Sequence, residues 1–174
     1  MNETINSILN RRSIRKFNSS KQISQEDLQL LLEAGLSAPS AGNDQPWRIT
    51  VVKNQELKQQ LATAALNQNF MAEAPVIIVV SGDMQTAMEF YSTRGVYLYI
   101  FQDCAAFVEN VLIAAQSLGL ATCWIGAFIE EKVQKILQLP KNFRPMAMIP
   151  VGYAAEPGRE APQKPLEKFI EYKH

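Results

Sequence analysis

Five cations crowd one short stretch near the N-terminus. Arg11, Arg12, Arg15, Lys16 and Lys21 follow one another with Ser13 among them, and no acid falls between Asn10 and Lys21. The chemistry this suits is anion binding. A guanidinium presents a planar fork of donors that matches a phosphate, and a serine hydroxyl adds a further donor. If the segment is extended, alternation puts Arg11, Ser13 and Arg15 on one side. A second reading stays open from the residues alone, that of a solvated helix end whose cations favour the C-terminal dipole.

Other chemistries are narrowed by what the chain contains. His174 is the only histidine and the last residue, so a histidine-based triad or zinc site is not expected. Cys104 and Cys123 have no metal-ligand spacing around them, and no metal is expected. There is no G-x-G-x-x-G fingerprint. Seventeen basic residues balance seventeen acidic ones. A nucleic-acid coat or polybasic membrane binder needs a basic excess that this chain lacks. Neutrality with 47% hydrophobic residues makes self-association a natural expectation. The apolar stretch Phe101 to Leu120 carries Asp103, Glu109, Asn110 and Gln116, so it reads as a buried helix rather than a membrane span. No apolar run at the N-terminus resembles a signal peptide, and the expected compartment is the cytoplasm.

The elements that must hold the cationic segment follow from periodicity. At 174 residues one compact domain is expected. Helices are expected over Thr4 to Asn10 and from Ser24 to about Gly35, the second opened by Ser24 and Asp27 in a capping-box pattern. Ser37 to Pro46 packs two prolines, two serines, Gly42, Asn43 and Asp44 into ten positions and reads as a long loop able to carry function. Strands are expected over Arg48 to Lys53, Val76 to Val80 and Ala147 to Tyr153, with Ala121 to Ile125 a short strand or loop. Helices are expected over Gln55 to Leu66, Phe101 to Leu118 and Glu130 to Leu137. This mixed order predicts an α+β fold, a sheet flanked by helices. Met84 to Tyr99, with two methionines, Phe90, Tyr91, Tyr97 and Tyr99, reads either as a helix on the core or as a pocket wall or lid. The tail from Glu156 is rich in proline and charge and reads either as a disordered end or, favoured by four large apolar residues, as a segment that Leu166, Phe169, Ile170 and Tyr172 anchor across a partner subunit.

Four segments, taken together, resemble the nitroreductase family of flavin enzymes. They are RRSIRKF at 11–17, APSAGNDQPWRITVV at 38–52, NVLIAAQSLGLATCWIGAF at 110–128 and IPVGYAAE at 149–156. Their order along the chain is the family's, and the length fits its short members. The resemblance implies a nitroreductase-like fold with a mainly antiparallel central sheet. It implies a homodimer with FMN at the interface, an FMN-binding domain over 1–156, and an extension over 157–174 onto the partner subunit.

Residue by residue, the resemblance implies that Arg11 and Ser13 contact the FMN phosphate and ribityl groups, with Arg12 beside them. Arg15 matches the position facing the N1–O2 edge of the flavin. Pro39, Ser40, Ala41 and Asn43 match a loop that covers the flavin from the other subunit, while Gln45 and Trp47 brace it. Trp124 and Ile125 would pack near the ring, and Gly126 would bring its N–H to the N5–O4 edge. Asn67 falls near a flavin-contacting asparagine. No catalytic side chain is implied, because flavin N5 carries the chemistry. The sequence departs from the pattern at Gln163, where a basic residue is usual, leaving Lys164 to serve alone. It departs again at Ile129, where an acid often stands. The implied activity takes hydride from NADH or NADPH and reduces nitroaromatics, quinones or related acceptors by a ping-pong mechanism. The alternatives are a specialised dehydrogenase, dehalogenase or flavin-fragmenting member, or a flavin-binding protein without turnover.

Overall fold

The computed structural model describes residues 2–173; His174 lies outside the described residues. Ten regular elements carry the fold: α1 (Glu3–Asn10), α2 (Gln25–Leu36), β1 (Trp47–Val52), α3 (Gln55–Ala64), β2 (Val76–Asp83), α4 (Met84–Arg94), α5 (Ile100–Ser117), β3 (Ala121–Thr122), α6 (Glu130–Ile136) and β4 (Phe143–Gly152). The four strands form one sheet in the order β1-β2-β4-β3, and every pairing is antiparallel.

β2 shows why the sheet needs helices on both sides. Its side chains alternate across the pleat. Ile78 and Val80 face a core built with Phe107, Val108 and Val111 of α5 and Leu28 and Leu31 of α2. Ile77 and Val79 face a second core with Leu61 of α3, Met71 and Val133 of α6. Both faces are apolar, which is why Val76 to Val80 reads as an unbroken hydrophobic run.

The helix starts are chemical. The Ser24 hydroxyl accepts from Asp27 N–H at 2.9 Å, and Asn54 Oδ1 accepts from Leu57 N–H at 2.9 Å. α3 stops at Ala64, two residues before the expected Leu66, because Leu66 and Asn67 take left-handed backbone (φ 58° and 62°).

Met84 to Ser117 is helical throughout and, by composition, apolar enough to cross a bilayer. In the fold, Ile100, Phe107, Val108 and Val111 pack it against the sheet as a core helix. The run is not regular. Ser92 has φ 52° and ψ −142°, and Gly95–Tyr99 winds as a π-helix. The segment Met84 to Tyr99 is therefore helix α4 and a π turn. It leaves Phe90 and Tyr97 exposed, and its Tyr91 and Tyr99 rings meet edge to face at 5.2 Å.

Candidate functional site

The cationic segment leaves α1 at Arg11 and runs extended along the β3 edge of the sheet. Ser13 makes a parallel bridge with Thr122, and Ile14 N–H donates to Thr122 C=O at 2.8 Å. Phe17 bridges Ala154, and Ala155 N–H donates to Lys16 C=O at 3.0 Å. Ile14 and Phe17 are buried with Ala74 and Ala121, and these anchors fix the segment's facing. Arg11, Arg12, Ser13 and Arg15 then line one open cavity of about 620 Å³. That volume is in the range of small-molecule sites.

The other wall comes from the tail. Glu156, Gly158, Glu160 and Gln163 line the same cavity. Lys16 pairs with Glu156 at 3.2 Å, and Arg12 pairs with Glu160 at 3.6 Å. Arg12 also donates to Leu9 C=O at 2.7 Å and to Arg11 C=O at 3.0 Å. A cluster that is acid-free in sequence is thus met by two acids in space. Arg11 and Arg15 form no ion pair among the described residues. Theirs are the uncommitted forks.

Cys123, 2% exposed, lies under this cluster. Burial pushes its thiol above the ordinary range, while Arg15, the Ser13 hydroxyl and Arg11 pull in the opposite direction. Arg11, Ser13 and Arg15 thus share one electrostatic neighbourhood with this thiol. Beyond Cys123 the chain turns outward. Ile125 is 3% exposed and exchanges both backbone hydrogen bonds with Met148, at 2.9 and 3.0 Å. Its side chain belongs to the core, and it fixes its neighbours. Trp124 is 40% exposed on one side of it, and Gly126 is exposed on the other. A Cβ on Gly126 would meet only the Trp124 indole nitrogen, at 3.9 Å. Within the chain nothing demands glycine there, so the open space beside Trp124 is room for something else.

The Asn67 turn adjoins this corner. Gln68 Nε2 donates to Ala127 C=O at 3.2 Å, and Ile129 N–H donates to Ala64 C=O at 2.9 Å. Ile129, where an acid is usual in the resemblance, is the N-cap of α6 and supplies no side-chain cap.

The Pro39 to Asn43 loop does not line the cationic cavity. It forms a 3-10 turn at Ala41–Asn43 and is built from inside. Ser40 Oγ accepts from Gln45 N–H at 2.9 Å, and Asn43 Oδ1 accepts from Gln45 Nε2 at 3.0 Å. Lys164 does not line the cavity either, whereas Gln163 does.

The Nitroreductase family model matches residues 8–70 and 62–153, which takes in the cationic segment, the Pro39–Asn43 loop and the Cys123–Gly126 corner but stops short of the tail. This chain belongs to the nitroreductase family. A relative from Archaeoglobus fulgidus is 34% identical over 157 residues, covering 88% of this chain and 86% of its own. The FMN reductase [NAD(P)H] of Bacillus subtilis is 30% identical over 180 residues, covering 96% of this chain and 72% of its own. Among solved structures, the NADPH:FMN oxidoreductase from Vibrio harveyi complexed with NAD+ superposes with a TM-score of 0.89 at 28% identity, over 99% of this chain and 78% of that one. The nitroreductase-family fold expected from the four segments is thus the fold observed.

Two features of this candidate site and its surroundings were missed by sequence reasoning. The tail acids Glu156 and Glu160 left no local signal, because their partners lie 140 or more positions away. Asp103 did leave one, as a carboxylate in an otherwise apolar helix. It is 6% exposed and accepts the Ala41 N–H at 3.0 Å.

Proposed function

We infer that this protein is an FMN-dependent oxidoreductase that takes hydride from NADH or NADPH and reduces nitroaromatics, quinones or related acceptors. The observation that carries the reading is the convergence of Arg11, Ser13 and Arg15 on one open cavity in a chain of this family. Bound FMN supplies a two-electron carrier that serves the nicotinamide and the acceptor in turn, as a ping-pong mechanism requires.

The chain's own residues bind, orient and tune. Arg11 and Ser13 hold the phosphate and ribityl end, with Arg12 as a second cation partly neutralised by Glu160. Arg15 stands at the N1–O2 edge and stabilises negative charge there. Trp124 and Gly126 receive the ring beside the open space, Gly126 by its N–H, while Ile125 fixes both from the core. Asn67 projects from the neighbouring turn. No general acid or base is assigned.

The working unit is a homodimer, with residues 1–156 as the flavin-binding domain. Pro39, Ser40, Ala41 and Asn43 cover the partner's flavin. The tail beyond 156 first packs on its own chain, then crosses to the partner through Leu166 and Phe169, which are 65% and 69% exposed. Lys164 reaches the phosphate in that assembly. The dimer works in the cytoplasm.

Purified protein should be yellow, and NADH or NADPH should bleach it under anaerobic conditions. A colourless protein that FMN cannot reconstitute would refute the reading. A second reading, flavin binding without turnover, draws on Gln163, which lines the cavity where a cation is usual. A yellow protein that neither nicotinamide bleaches would favour it.

A further inference from the structure

We propose that Asp103 is the positioning residue of the Pro39–Asn43 loop, setting from α5 the shape of the surface which that loop offers to the flavin. This rests on the flavin reading above. The loop's own backbone bonds are local, Asn43 N–H to Ser40 C=O and Asp44 N–H to Ala41 C=O, both at 3.0 Å. Gly42, Asn43 and Gln45 all take left-handed backbone, with φ of 54°, 61° and 52°. Glycine takes that conformation freely, but at Asn43 and Gln45 it persists only where the surroundings over-determine it. Ser40 and Asn43 spend their side-chain oxygens on Gln45, inside the loop. The bond from Asp103 to the Ala41 N–H comes instead from α5, 62 positions away.

Position and chemistry both favour this role. Asp103 is in the first turn of α5, and its neighbour Cys104 is locked in the core. The carboxylate therefore cannot drift without moving the central helix. A carboxylate is also the strongest acceptor a side chain offers to a backbone N–H. Burying one in an apolar helix is costly, and Asp44 nearby adds like charge. A hydrophobic residue would serve packing better. What the carboxylate adds is a fixed point for Ala41, in the middle of the Pro-Ser-Ala segment.

The experiment compares Asp103→Asn, which keeps a side-chain oxygen for the Ala41 N–H, with Asp103→Leu, which keeps the volume and removes the acceptor. FMN affinity is read by fluorescence titration of apoprotein, and the flavin environment by visible circular dichroism. Asp103→Asn should bind like the wild type. Asp103→Leu should bind about tenfold more weakly and change the flavin band, the loss expected for one buried hydrogen bond. Equal FMN affinity and equal spectra in folded Asp103→Leu and wild type would overturn the proposal.

Amide exchange at Ala41 is measured in the same three proteins without FMN. Faster exchange in Asp103→Leu alone supports the tie, and unchanged exchange overturns it. Should the wild type fail to bind FMN, the flavin reading fails, while Ala41 exchange still decides whether Asp103 holds the loop.

Discussion

The Tyr91 hydroxyl occupies the space that a Cβ on Gly42 would need. α4 and the Pro-Ser loop therefore meet at Tyr91 and Gly42, a residue that is also in left-handed backbone. Gly42→Ala should destabilise the protein by about 1–3 kcal/mol through backbone strain and displacement of Tyr91. Combining it with Tyr91→Phe should recover the steric part and leave the strain. Thermal unfolding of the two single variants and the double variant checks this, and additive losses would show that the contact contributes nothing.

Arg15→Gln should lower the flavin reduction potential, because a cation that favours negative charge at the ring edge is gone. Arg15→Lys should fall between the two. Spectroelectrochemical titration reads the order directly, and an unchanged potential in Arg15→Gln would remove Arg15 from that role.

Glu160 competes for Arg12. Glu160→Gln should cost less than about 1 kcal/mol of stability, as an exposed ion pair does. It should tighten FMN binding, since Arg12 loses its carboxylate partner. Arg11→Ala, removing a fork with no ion pair among the described residues, should weaken binding. Titrations at low and high salt would check both, with the differences shrinking as salt screens the charges.

Cysteine chemistry should be silent in the native state. Burial, helped by the charge of Asp103, pushes the Cys104 thiol up to about 12. Burial also outweighs the nearby cations at Cys123. Only the thiolate reacts, so both thiols should resist a disulfide reagent at pH 8 and react after denaturation.

Asp103 sets a pH dependence. Burial pushes its carboxyl above the ordinary 3.8, the Ala41 N–H pulls it back, and Asp44 pushes it up again. A carboxyl raised in the folded state contributes stability that is complete below 3.8 and is lost as pH rises through the folded value. Asp103→Asn should therefore melt higher than the wild type at neutral pH. The gap should close in acid. A gap that widens in acid would contradict the sign.

The sequence carried the fold in its periodicity. β2 reads as a two-sided strand because both its faces are apolar, and Ser24 marks the start of α2 with its hydroxyl. Less legible were features set by geometry at a distance. The irregular helix around Ser92 depends on a strained backbone that no residue type announces. The pairing of Arg12 with Glu160 left no local signal, because Glu160 is far along the chain. Ile125 stood next to Trp124 in a flavin-like motif, yet alternation turns its side chain to the core. The uncommitted Arg11 and Arg15 were legible, because alternation along an extended segment is local.

The parallel bridge from Ser13 to Thr122 makes the cationic segment an outer strand of the sheet in all but length. Its charges are consequently not a property of the chain but of the closed sheet edge. Peeling that edge away would scatter Arg11 and Arg15 while leaving β1, β2 and β4 paired. If FMN binds at that edge, its release during denaturation should precede collapse of the hydrophobic interior.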